Sequence, residues 1–265
     1  MIADSHRLSI VRVLPDVAAL SASLGIAYLF DWEVKDLVWS LWLGSLVLGY
    51  LTVLSAIAAG AYVGLQMIRH KEFKKQHRIP AIIIGTAIGL FLLGFFSLHF
   101  CAFHAVHSVF LQHFFPVEGM PRDGFGQAFM NPPLLWLLVF RHLVAPYGLF
   151  LVAAIIAERN HVFRPLIATV QAVRMERASD VPPEDVARGC PGKKGSSVGD
   201  VMTRPYANVI RMHLLIFFFA FCHAMSADSF LVYAVVYLVY LFPWREVRQA
   251  RSSPKTEADG ASTCA

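Results

Sequence analysis

Residues 80–115 read PAIIIGTAIGLFLLGFFSLHFCAFHAVHSVFLQHFF and contain no Asp, Glu, Lys or Arg. About 20 apolar residues suffice to cross the ~30 Å hydrocarbon layer of a bilayer. A run this long, with no charge to anchor it in water, predicts a helix that spans a membrane. Its second half carries His99, His104 and His107, three titratable side chains within nine residues.

Five more apolar runs surround it, near 13–30, 38–68, 132–157, 206–226 and 228–244. Lipid cannot satisfy an open backbone, so each is expected to be a helix. The composition agrees: 57% of the 265 residues are hydrophobic, 15% are charged, and the mean hydropathy is +0.56. A soluble domain of this size needs more charged surface. The expected fold is an all-α six-transmembrane-helix bundle, one membrane domain over 1–265. Asp16 interrupts the first run and no small-residue cleavage site follows it, which argues against a cleaved signal peptide.

Charge gives the orientation. Arg69, Lys71, Lys74, Lys75 and Arg78 lie between the second and third runs. Arg159, Arg164, Arg174, Arg177, Arg188, Lys193, Lys194 and Arg204 follow the fourth. The tail adds Arg245, Arg248, Arg251 and Lys255, and the head Arg7 and Arg12. The alternate loops hold Lys35 and Arg122. This imbalance, 19 against 2, predicts a multi-pass protein of the cell inner membrane with both termini in the cytoplasm. The basic charge then implies contact with anionic lipid head groups at the cytoplasmic face, and no nucleic acid.

Phe163, Leu166, Ile167, Val170 and Val173 share one helical face, which predicts an amphipathic helix over 162–178 on the cytoplasmic surface. Residues 180–200 and 251–265 read as flexible connectors. Ala56, Gly60 and Gly64 in the second run, and Gly85 and Gly89 in the third, have the spacing that lets helices pack closely in lipid.

The chemistry is expected in the histidine region. Ionisable groups inside a span normally face the protein interior. His104 and His107 lie about 60° apart on a helix, and Cys101 about 60° from His104. An i, i+3 pair can share a metal ion. His99 lies about 12 Å from His107 along the axis. The fifth run supplies His213, Cys222 and His223. The candidate ligands are therefore His99, His104, His107, His213 and His223, with Cys101 and Cys222 beside them. The cofactor they imply is a transition metal (zinc, iron or copper) or haem. Polar packing between helices is the competing role for each imidazole.

Arg141 and His142 fall in the middle of the fourth run, and no Asp or Glu lies deep in any run to neutralise the guanidinium. An anion-binding role follows for this pair, in an internal polar cavity shared with His213. Snorkelling to an interface is the alternative. No Gly-x-Ser-x-Gly, His-Glu-x-x-His or phosphate-loop motif is present. Three function classes follow: a metal or haem membrane protein, a carrier or channel for a small ion or anion, and a scaffold or partner subunit.

The His99/His107 spacing and Pro205-Tyr206 followed by His213 resemble a widespread bacterial integral-membrane family of unknown function. Leu14-Pro15, Trp39, Trp42 and Glu158-Arg159 share in the resemblance, which implies a role for His99, His107 and His213. It also implies a Glu near the Trp39–Trp42 region, where this chain has Gly44, and a histidine near 145–148, where it has Pro146 and Tyr147.

Overall fold

The computed structural model describes residues 2–69 and 74–178, together with scattered positions between 210 and 225. Seven α-helices form among them and no strand does: α1 Ile2–Leu29, α2 Val34–Arg69, α3 Arg78–Phe114, α4 Gly124–Gln127, α5 Pro132–His142, α6 Val144–Val162 and α7 Arg164–Ala178.

Local chemistry explains the boundaries. Asp31 adopts a positive φ of 51° between α1 and α2. At the start of α2 the Glu33 N–H donates to the Asp36 carboxylate at 2.9 Å, satisfying a helix-end donor and placing negative charge at the N-terminus. α5 opens on Asn131, whose side chain accepts from the Leu134 N–H, with prolines filling the first two helical positions.

α2 and α3 are each long and apolar enough to cross a membrane. At 1.5 Å per residue each is about 55 Å long, well beyond a hydrocarbon layer of ~30 Å. The fourth apolar run departs from the expectation. It is two helices, α5 and α6, bent by 99° about Leu143. Pro146 supplies the reason: it lacks an N–H, and its ring clashes with the carbonyl four residues back, at His142, where α5 ends. All but the last residue of the first run lies within α1, with Pro15 inside the helix. The sixth expected span (228–244), most of the fifth (206–226) and the connectors 180–200 and 251–265 lie outside the described residues, and with them His213 and His223.

α2 is the central element, packed against α3, α6 and α7, while α1 packs on α6. The core is concentrated at one end. It joins the first half of α2 (Leu37, Trp39, Trp42, Leu43, Leu46) to the second half of α3 (Phe96, Phe100, Leu111), with Phe125 of α4 and Phe150 of α6. Among the described residues the first half of α3 is bare by contrast, with Ile79, Ile83, Leu90 and Phe91 exposed. The small-residue stripes do not make the expected close contacts among the described residues. Gly60, Gly64 and Gly85 face open space, and Gly89 meets Ile57. The tight approach is at Gly49, where an added Cβ would overlap the Phe100 ring. α7 covers residues 164–178 of the stretch 162–178, and it packs along α2.

Candidate functional site: a buried imidazole pair between α2 and α3

The buried positions of α3 recur at helical spacing: Phe96, Phe100, Cys101, His104, Ala105, His107, Ser108 and Leu111. That face turns toward α2. It carries His104 and His107 inward, 1% and 4% exposed, with ring centroids 6.2 Å apart and the planes near perpendicular. His99 is on the other side of the helix. It is exposed and lies over the Phe95 ring at 4.4 Å. Of the four histidines in the third run, His104 and His107 are thus buried and His99 and His113 exposed.

His104 is held on every side. Its Nδ1 lies 3.0 Å from the Phe100 carbonyl oxygen. A carbonyl only accepts, so Nδ1 carries the hydrogen and the lone pair of the neutral ring is on Nε2. The Phe100 ring lies 4.3 Å from the imidazole, and the Trp42 indole meets it edge-on at 5.5 Å. The backbone at this point is also anchored: the His104 carbonyl accepts from Ser108 Oγ at 2.8 Å and from Trp42 Nε1 at 3.3 Å. Trp39 repeats the device higher up, donating Nε1–H to the Phe115 carbonyl at 2.8 Å. Trp39, Trp42 and Phe125 pack their rings together against this end of α3.

One turn below the pair, the Cys101 thiol and the Tyr50 hydroxyl share a hydrogen bond of 3.0 Å. Tyr50 is wedged edge-on against Phe96, Phe100 and Trp136. Gly44, where the resemblance implies a glutamate, is buried with its open side against Phe150 at 3.5 Å. Tyr147, near the implied histidine, donates its hydroxyl hydrogen to Asp36 at 2.9 Å and ties the start of α6 to the start of α2.

The described residues thus supply two imidazoles and one engaged thiol. No group of three His, Cys, Asp or Glu side chains that could hold a metal comes together among them. Cys222 is buried, and Phe217 meets Phe110 ring to ring at 6.1 Å, one turn beyond His107.

Arg141 stands apart from this site. It is exposed in the last turn of α5, beside half-buried His142, and no carboxylate pairs with it among the described residues. Its expected place in the middle of a straight span does not exist, because α5 ends one residue later. Sequence reading missed the two indole donors, which reach 62 and 76 residues along the chain. Their signal was two Trp three apart on an apolar helix, which core packing explains equally well.

No curated protein and no solved structure matches the chain significantly. A family model does match over residues 5–164, which takes in α1 to α6, the imidazole pair and Arg141, and leaves Pro205, Tyr206 and His213 outside. By that match the chain belongs to the DUF6498 family, a family of unknown function.

Proposed function

We propose that the chain is a multi-pass protein of the inner membrane, with six spans and both termini cytoplasmic, whose working site is a transition-metal centre built on His104 and His107. The membrane reading is supported by the two long apolar helices and by the basic residues gathered on alternate loops.

One observation carries the metal reading. Two imidazoles are buried side by side, and one has its Nδ1–H committed to a backbone carbonyl. Ligating histidines almost always donate their second ring nitrogen in this way, which fixes the tautomer and aims the other nitrogen at the metal. His104 and His107 would supply two ligands. A third ligand would come from the fifth run, which carries His213 and His223 and whose Phe217 meets Phe110 one turn from His107. Imidazole donors suit zinc, iron or copper, and a bound metal would supply a Lewis-acid or redox centre. Trp42 and Phe100 would hold the His104 ring in place and keep water away from it.

The carrier or channel reading needs Arg141 on an enclosed path, and its exposed position on α5 favours the metal reading instead. Elemental analysis and an absorption spectrum of the purified protein test the proposal. One zinc, iron or copper per chain is expected, and a Soret band would identify the iron as haem. A protein that takes up none of these after reconstitution rules the proposal out.

A further inference from the structure

α5 presents two unlike faces. Leu135, Leu138 and Val139 are buried, and the Trp136 ring meets Tyr50 edge-on at 5.1 Å. On the other side Pro133, Leu137, Phe140 and Arg141 are exposed. They sit at i, i+4, i+7 and i+8, so they form one stripe along the helix. Leu137 is 59% and Phe140 65% exposed, with nothing in the described chain covering them. At eleven residues α5 is about 16 Å long, too short to cross a bilayer, and it leaves α6 at 99°. With α6 along the membrane normal, α5 lies close to the membrane plane.

A guanidinium is charged at all working pH values, and a low-dielectric boundary makes an uncompensated charge costly. The carbonyls of the last turn of α5 offer only partial negative charge. An anion on the solvent side of the helix would neutralise Arg141 in full, and a planar guanidinium fits a phosphate with two parallel hydrogen bonds.

We infer that the exposed stripe of α5 rests on the bilayer surface, with Leu137 and Phe140 against acyl chains and Arg141 on the phosphate of a phospholipid headgroup. This rests on the membrane reading above and is independent of the metal. The apolar neighbours of Arg141 select a lipid over a free anion, because a soluble phosphate gains nothing from Leu137 and Phe140.

Native mass spectrometry of the full-length protein tests this, after delipidation in non-ionic detergent and titration with phosphatidylglycerol. The wild type should hold one lipid more than Arg141→Gln, whose apparent affinity should fall about tenfold or more, the scale of a lost charge-assisted hydrogen bond. Arg141→Lys should lie between them. Phe140→Gln, which keeps the charge, should also weaken binding, and inorganic phosphate in excess should not displace the lipid. Equal lipid retention in wild type and Arg141→Gln would overturn the inference, and so would displacement by inorganic phosphate, which marks a free-anion site. A chain that stays soluble and lipid-free without detergent would overturn the membrane reading with it.

Discussion

Gly49 of α2 lies beneath the ring of Phe100 on α3, so close that a single Cβ there would overlap the ring. The same ring packs 4.3 Å from His104. A backbone without a side chain on one helix therefore determines where an imidazole sits on the next.

Gly49→Ala should accordingly cost stability, by about 1–3 kcal/mol as for other overpacked cores. It should also lower the metal content, because the displaced Phe100 ring packs on His104. Gly60→Ala is the control. Gly60 faces open space, and the substitution should leave stability unchanged or raise it by up to about 1 kcal/mol through helix propensity. Thermal unfolding of both variants in the same detergent gives the comparison. Equal melting temperatures would mean that the contact carries no energy.

The bond from Tyr147 to Asp36 joins two helix beginnings that lie 111 residues apart. Tyr147→Phe should destabilise the bundle by about 1.5–3 kcal/mol, the usual contribution of a hydrogen bond to a charged acceptor. Asp36→Ala should cost more, since Asp36 also accepts from the Glu33 N–H. The two variants and their double mutant form a cycle readable by thermal unfolding. A coupling near zero would remove this tie from the account.

Sidedness gives a third test. Reporter fusions at Pro121, after α3, and at Ser196, after α7, should report opposite faces of the membrane, with Ser196 cytoplasmic. The expectation rests on the basic residues around 69–78 and 159–204. Both fusions on the same face would contradict the topology.

The long helices were legible because apolarity over 30 or more residues leaves few alternatives: runs 38–68 and 80–115 correspond to Val34–Arg69 and Arg78–Phe114. The shared face of His104 and His107 followed from 100° per residue alone. The bend in the fourth run was not legible, because mean apolarity does not register the break at Pro146, and the expected depth of Arg141 assumes a straight helix. The contacts that position the imidazoles were not legible. Trp42 to His104 and Gly49 to Phe100 are meetings of distant segments, set by the register of two antiparallel helices that no local pattern encodes. His99 resembled its neighbours in spacing, and only the packing of α2 against one side of α3 separates it from them.

That separation allows the most direct test of the metal centre. Metal per chain should be measured by elemental analysis for wild type, His99→Ala, His104→Ala and His107→Ala, each purified in the same way and confirmed as folded by circular dichroism. The buried pair predicts that His99→Ala keeps the wild-type stoichiometry, while His104→Ala and His107→Ala each lose most of the metal, in line with the loss of a protein ligand. Full metal occupancy in His104→Ala and His107→Ala, or loss only in His99→Ala, would contradict the account.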